Sequence, residues 1–202
     1  MPEYTARNFS KRLSTVWYKI QRTTTASFRC RKSMNDKNDI KYSLTNLCEI
    51  FQNGAVELVS VMFNLPAVIT QPWDVTEISD ARYDYIFRQI SENKQFKANV
   101  IIGASYTAIE TILGSNISLD EARDAFGEFA NCYNAILMEQ PSFVEEFGYL
   151  TQRVPEDSTV LACFPLAWGI QGNLLIGQDS LFLRFSIEKN RFGEDLLAFL
   201  DA

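Results

Sequence analysis

A carboxylate and a carboxamide, Glu128 and Asn131, are the residues whose types and spacing could do chemistry together in this sequence. Residues three apart on an α-helix lie on the same side of it, so both side chains would face one partner. A carboxylate can transfer a proton, and an amide donates and accepts hydrogen bonds without a tuned pKa. An ordinary solvated helix face contains such pairs too, and spacing alone leaves both interpretations open.

The stretch from Ser118 onward predicts the helix that would hold this pair. Ser118 as N-cap, with Glu121 at the third helical position, forms a capping box. We expect the helix to run from residue 119 to about Gln140, because Pro141 ends it. At about 100° per residue, one continuous side is apolar and must face the core. Its members are Ala122, Phe126, Phe129, Tyr133, Ile136 and Leu137.

The opposite side of this helix is a narrow ridge that points away from the core. Its members are Glu121, Asp124, Glu128, Asn131 and Ala135. The small Ala135 would let a partner approach closely, so we expect Glu121, Asp124 and Ala135 to contact a partner beside the Glu128–Asn131 pair.

The composition excludes several classes of site. The chain has 202 residues and no His, which rules out a Ser-His-Asp triad, a Cys-His pair and His-ligated zinc or haem. The cysteines form no CxxC pair, so a zinc or redox motif is unsupported, and scattered thiols suit a reducing cytoplasm. They are Cys30, Cys48, Cys132 and Cys163. Cys132 falls at the edge of the apolar side, where a free cysteine is usually a small hydrophobic residue. No apolar run is long enough to span a membrane, so we expect no membrane insertion. Because His and CxxC pairs are absent from the sequence, we also expect no metal or cofactor of its own.

Charge divides the chain into two parts. Residues 1–33 hold eight basic residues and one acidic residue, so the net charge of −6 leaves −13 for the rest. Such an acidic body repels nucleic acid. We therefore expect a basic, disordered extension at 1–40 and one domain at 41–202, with Met34 as an alternative start of the chain.

The remaining pattern predicts a mixed fold. A helix over 42–63, strands over 67–70 and 100–104, a helix over 106–113 and a strand or helix over 80–90 precede the ridge helix. Strands over 159–164, 174–176 and 181–187 follow it, with a turn near Gly169–Gly172 and a short helix over 194–200. We predict an α+β fold, with a mostly antiparallel sheet and two long helices packed on one face.

The segment Asp124-Ala125-Phe126-Gly127-Glu128-Phe129-Ala130-Asn131 resembles the signature helix of the CheC/CheX/FliY response-regulator phosphatases. Those proteins carry Glu-x-x-Asn within a similar string of acidic, small and hydrophobic residues. The order of elements is also similar, from a strand with Gly103, through a short helix ending at Leu113-Gly114, to Cys163-Phe164-Pro165 and the strand Leu181–Ile187. The resemblance covers about residues 43–190.

The resemblance implies a phosphatase whose substrate is a phosphorylated CheY-like receiver domain, in chemotaxis and two-component signalling. Asn131 would orient the water that attacks phosphorus, and Glu128 would pair with the active-site Lys of the receiver. The Mg²⁺ would belong to the receiver. Such chemistry is reasonable without His, because phosphoryl transfer depends mostly on positioning and electrostatics.

The sequence departs from the family at a second motif that many members carry on the first long helix. Here Glu49 is present, but Gln52 stands where Asn is expected, and its extra methylene should misplace a water. Cys48 replaces a Gly and Phe51 a small residue, which we expect to obstruct close approach. This pair is therefore interpreted as a degenerate second motif on a structural helix.

Three functions remain open at this point. The first is the phosphatase, and the second is a catalytically inactive CheX-like module that sequesters or localises a receiver domain. The third is a structural domain of a larger assembly, whose ridge touches no receiver. A homodimer through an exposed sheet edge is a further expectation that no residue decides.

Overall fold

The computed structural model describes residues 37–77, 79, 82–152, 156–157 and 167–190. The helices of this part are α1 (Lys37–Phe63), α2 (Tyr106–Leu113), α3 (Leu119–Met138) and α4 (Pro141–Phe147). Its strands are β1 (Ala67–Ile69), β2 (Asp74–Thr76), β3 (Tyr85–Glu92), β4 (Phe96–Ala104), β5 (Thr151–Gln152), β6 (Glu156–Asp157), β7 (Trp168–Ile176) and β8 (Asp179–Lys189).

The eight strands of the described residues form one sheet, and every pairing in it is antiparallel. The order is β1-β7-β8-β4-β3-β5, with β2 also on β7 and β6 also on β3. β7 and β8 form a hairpin whose turn contains Gly177 at φ 64°, a backbone conformation that suits glycine. The predicted α+β class with an antiparallel sheet is confirmed.

Both long helices pack on the same face of the sheet, as predicted. On α1, the ring of Phe51 lies 4.8 Å from that of Phe185 on β8. On α3, the ring of Phe126 lies 5.8 Å from that of Tyr85 on β3. The strand register places Phe185 and Tyr85 on one side of the sheet, because successive side chains alternate between sides. The main core therefore lies between this face and the two helices.

The two long helices also contact each other directly. The Tyr133 hydroxyl of α3 donates a hydrogen bond to the Phe51 carbonyl of α1 at 3.0 Å, and their rings meet edge to face at 6.2 Å. Both residues are fully buried. This contact fixes α3 against α1 as well as against the sheet.

The turn predicted near Gly169–Gly172 is wrong, because β7 runs straight through these residues. Each glycine leaves space for a neighbour that is distant in sequence. A Cβ on Gly172 would overlap the Trp73 ring, and one on Gly169 would lie 2.7 Å from the Phe185 carbonyl oxygen. Close packing across the sheet, rather than a turn, therefore accounts for both.

Other boundaries differ less from expectation. The first helix begins at Lys37, five residues before the predicted start at 42. Of the strand or helix predicted over 80–90, the structure shows strand β3 from Tyr85 onward. The short elements β2, α4, β5 and β6 were not predicted. Most of the predicted extension (residues 1–36), the predicted strand at 159–164 and the predicted helix at 194–200 lie outside the described residues, as do Cys30 and Cys163.

Candidate functional site

Helix α3 begins with the predicted capping box. The Glu121 backbone N–H donates to the Ser118 hydroxyl oxygen at 3.2 Å, and the Ser118 backbone N–H donates to Glu121 Oε2 at 2.9 Å. The Ser118 hydroxyl also donates to the same carboxylate oxygen at 2.7 Å. These hydrogen bonds from Ser118 lower the pKa of the Glu121 carboxyl. Glu121 is thus exposed on the ridge, but its carboxylate is engaged at the start of the helix.

The apolar side of α3 is buried as predicted, and it is wider than predicted. All six residues assigned to it have at most 5% exposure. Gly127, Ala130 and Asn134 are buried as well, which widens the buried arc from about 100° to about 180°. A Cβ on Gly127 would lie 3.5 Å from the Phe87 ring, an ordinary contact distance, so this part of α3 lies directly against β3.

The ridge carries the predicted side chains on the outer side of α3. Asp124 and Glu128 are exposed, whereas Asn131 and Ala135 are half-buried. Glu128 and Asn131 are therefore neighbours at the protein surface, separated by less than one helical turn. An amide at this place can hydrogen-bond a water outside the protein, and the carboxylate beside it can meet a cation.

Glu128 has a neighbour that sequence reasoning missed. The Cys132 thiol, one turn further along α3, donates a hydrogen bond to Glu128 Oε1 at an Sγ–Oε1 distance of 3.7 Å. Burial, followed by the Glu128 carboxylate, raises the pKa of Cys132 to about 12. The thiol therefore stays protonated near pH 7 and acts as a weak donor. The i,i+4 spacing was the signal that could have predicted this contact.

Asn131 is joined to the edge of the sheet. The Gln152 side chain on β5 donates a hydrogen bond from Nε2 to the Asn131 carbonyl oxygen at 3.2 Å. One turn on, Asn134 Nδ2 donates to the Ser91 hydroxyl of β3, also at 3.2 Å. Asn134 is thereby explained as a buried anchor of α3, and neither contact was predicted from the sequence.

A CheC-like superfamily protein from Shewanella sp. PV-4 is 16% identical with a TM-score of 0.56, covering 72% of this chain and 97% of that protein. The chemotaxis protein CheX from Desulfovibrio desulfuricans is 14% identical with a TM-score of 0.55, covering 71% and 99%. The chain has the fold of the CheX and CheC-like chemotaxis proteins.

The chain is also similar in fold to a structure that contains FliM. A structure of the FliM–SpeE complex from H. pylori matches with 12% identity and a TM-score of 0.52, covering 77% of this chain and 89% of that one. No protein-family model matches the chain, and no curated protein does so at a significant level. The likeness is therefore one of fold.

In this CheX-like fold, α1 holds the degenerate second motif. Glu49 is exposed and Gln52 is half-buried, and the Cys48 thiol donates to the Trp73 carbonyl oxygen at 3.7 Å. The expectation that Phe51 obstructs a partner is wrong. Phe51 lies on the core side of α1, where its ring packs against Phe185, so it cannot reach the surface.

The surface of α3 in the CheX-like fold is acidic. Between residues 119 and 139 the sequence has five acidic residues and one basic residue, Arg123, which pairs with Asp120 at 3.2 Å. This charge favours a partner with a basic surface. Over the described ranges, no helix has the length and apolar character to cross a membrane, and no cluster of His, Cys, Asp and Glu could hold a metal ion.

Proposed function

We propose that this chain is a phosphatase for phosphoaspartyl receiver domains of the CheY type. The observation that carries the proposal is the Glu128–Asn131 pair on the outer ridge of α3, in a chain with the fold of CheX and CheC-like proteins. Those proteins are named for chemotaxis, which supports a receiver domain as the partner. The residues in between, Phe129 and Ala130, are buried, so neither side chain stands between the pair at the surface.

Asn131 has the chemistry to position a water for in-line attack on phosphorus. Its amide both donates and accepts, and it needs no particular protonation state. Phosphoryl transfer demands little covalent chemistry from the protein, because catalysis lies mostly in positioning and electrostatic stabilisation. The receiver would supply the Mg²⁺ that neutralises the phosphoryl group, since α3 has no metal ligand cluster among the described residues.

Glu128 would set the register of docking by pairing with the active-site Lys of the receiver. Its carboxylate is exposed and keeps a protonated thiol, Cys132, as its neighbour within α3. Asp124 and Ala135 lie on the same ridge and would contact the receiver on either side of the pair. Glu121 lies at the end of the ridge, where its carboxylate would add negative charge.

The test is the rate at which acetyl-phosphate-labelled CheY-type receivers of the same organism lose phosphate in Mg²⁺. We expect the wild-type chain to accelerate the loss, and Asn131→Ala to reduce that acceleration about 100-fold while still binding the receiver. Gln52→Ala is the matched control on α1 and should keep the wild-type rate. Binding without acceleration would favour the inactive CheX-like module instead. If no receiver binds and none loses phosphate faster, the ridge is an ordinary solvated helix face.

A further inference from the structure

A short polar bridge joins the middle of α3 to the edge of the sheet. Ser91 on β3 and Gln152 on β5 are directly paired across the sheet. Each of them is hydrogen-bonded to α3, Gln152 to the Asn131 carbonyl and Ser91 to the Asn134 amide. We call these four residues the amide bridge.

The amide bridge is shielded from water at its inner end. Ser91 and Asn134 are 1% and 3% exposed, and Gln152 is half-buried. Breaking a hydrogen bond between buried polar groups leaves them desolvated without a partner, which is energetically unfavourable. This favours the observed contact between Asn134 and Ser91. The bridge therefore fixes how α3 lies on the β3–β5 edge at the turn that contains Asn131.

The contact from Gln152 is additional to those that build the helix. Within α3 the Asn131 carbonyl already accepts from the backbone N–H four residues later, as in any α-helix. A second donor on that carbonyl adds nothing to helix formation, but it restrains the backbone of Asn131 itself. Because the Cα–Cβ bond leaves the same residue, this restraint also fixes the point and direction from which the Asn131 side chain leaves the helix.

We propose that Gln152 is a positioning residue for Asn131, acting through the carbonyl of that residue. The inference rests on the proposed phosphatase function, in which Asn131 must place a water to within about 1 Å of the productive position. β5 is only two residues long and lies at the sheet edge. Its restraint on α3 therefore depends on the Gln152 side chain and on the two residue pairs that join β5 to β3.

The test compares side chains of similar size that differ in their donors. Gln152→Glu keeps the shape and loses the N–H, whereas Gln152→Lys keeps an N–H donor on a longer side chain. We expect Gln152→Glu to lower kcat for the phosphorylated receiver about 10-fold with little change in KM, and Gln152→Lys to recover most of kcat. A role in folding alone would change the amount of folded protein and leave kcat per folded molecule unaltered.

Asn93→Asp is the matched control. Asn93, in the turn between β3 and β4, donates from Nδ2 to the Phe147 and Tyr149 carbonyls at 2.9 and 3.2 Å, so this change removes a side-chain donor to the segment before β5 without touching α3. It should leave kcat unchanged. An equal loss of kcat in Asn93→Asp, or an unaltered kcat in Gln152→Glu with an active wild type, overturns this inference and leaves the phosphatase standing. An inactive wild type overturns both.

Discussion

Helices α1 and α3 present nearly the same arrangement with different side chains. Each has a glutamate three residues before an amide, Glu49 with Gln52 and Glu128 with Asn131. Both glutamates are exposed and both amides are half-buried. The buried residue before each amide, Phe51 or Ala130, faces the core in both helices. Each helix thus carries a glutamate and an amide on its outer side, and we call the side of α1 with Glu49 and Gln52 the second ridge. The chemistry of single side chains must distinguish the two ridges.

Two local differences separate the ridges. Gln52 is longer than Asn131 by one methylene, and α3 has Gly127 where α1 has the half-buried Cys48. Gly127 lies against the Phe87 ring, and the amide bridge restrains the next turn. The fold thus places a Glu–amide pair on both helices, and under the proposed function we expect catalysis to need both the shorter amide and its restraint.

The largest effect is expected from giving α3 the amide of α1. Asn131→Gln should reduce the acceleration of receiver dephosphorylation about 100-fold, because the longer side chain misplaces the attacking water. The measurement is the rate of phosphate loss from the labelled receiver at a saturating concentration of the wild-type or variant chain. Gln52→Asn is the reverse exchange, and we expect it to stay within about twofold of wild type because Cys48 still stands where α3 has Gly127. A large gain in Gln52→Asn would mean that amide length alone separates the two helices.

A smaller effect is expected at the glutamates. Glu128→Ala should raise KM for the phosphorylated receiver about 10-fold and change kcat less, because it removes a charge pair used in docking. Glu49→Ala is the same change on the other ridge and should have no effect. Equal effects of the two changes on KM would contradict the difference between the ridges. Steady-state kinetics with each variant decide the matter.

The contact between the helices should affect stability rather than rate. Tyr133→Phe removes the buried hydroxyl that donates to the Phe51 carbonyl, and we expect the free energy of unfolding to fall by about 1 kcal/mol. Burial keeps the pKa of this hydroxyl well above its ordinary value, so it remains a donor at any working pH. Tyr42→Phe, at an exposed position on α1, is the control for urea denaturation. An unchanged midpoint of urea denaturation for Tyr133→Phe would show that this hydrogen bond does not stabilise the fold.

The ridge helix could be predicted from the sequence because its signals are local. The Ser118–Glu121 capping box marks its start, and helical periodicity separates its core side from its ridge. What was missed depends on contacts between distant residues. Gly172 suggests a turn locally, and only the Trp73 ring explains it. The three residues of β2 are too few to show a period.

The amide bridge was beyond prediction for the same reason. Gln152 lies 21 positions from Asn131, and Asn134 lies 43 from Ser91. Neither pair has a spacing that any regular element would bring together. The Glu128–Cys132 contact, in contrast, lies within one helix and could have been predicted.

The smallest effect is expected from Cys132. Cys132→Ala removes a long hydrogen bond to Glu128, and because a neutral thiol is a weak donor we expect at most about a threefold change in KM. With its pKa raised to about 12, the thiol keeps its proton between pH 6 and 9. The ratio of the KM of wild type to the KM of Cys132→Ala should therefore be constant over that range. In the unfolded chain the thiol ionises near its ordinary pKa, so its contribution to stability should decline only as pH rises above about 9.

Cys48→Ala on α1 is the control, since its thiol contacts Trp73 rather than a ridge glutamate. A ratio that changes between pH 6 and 9 would show that Cys132 titrates there, and that the difference between the two ridges includes a charge.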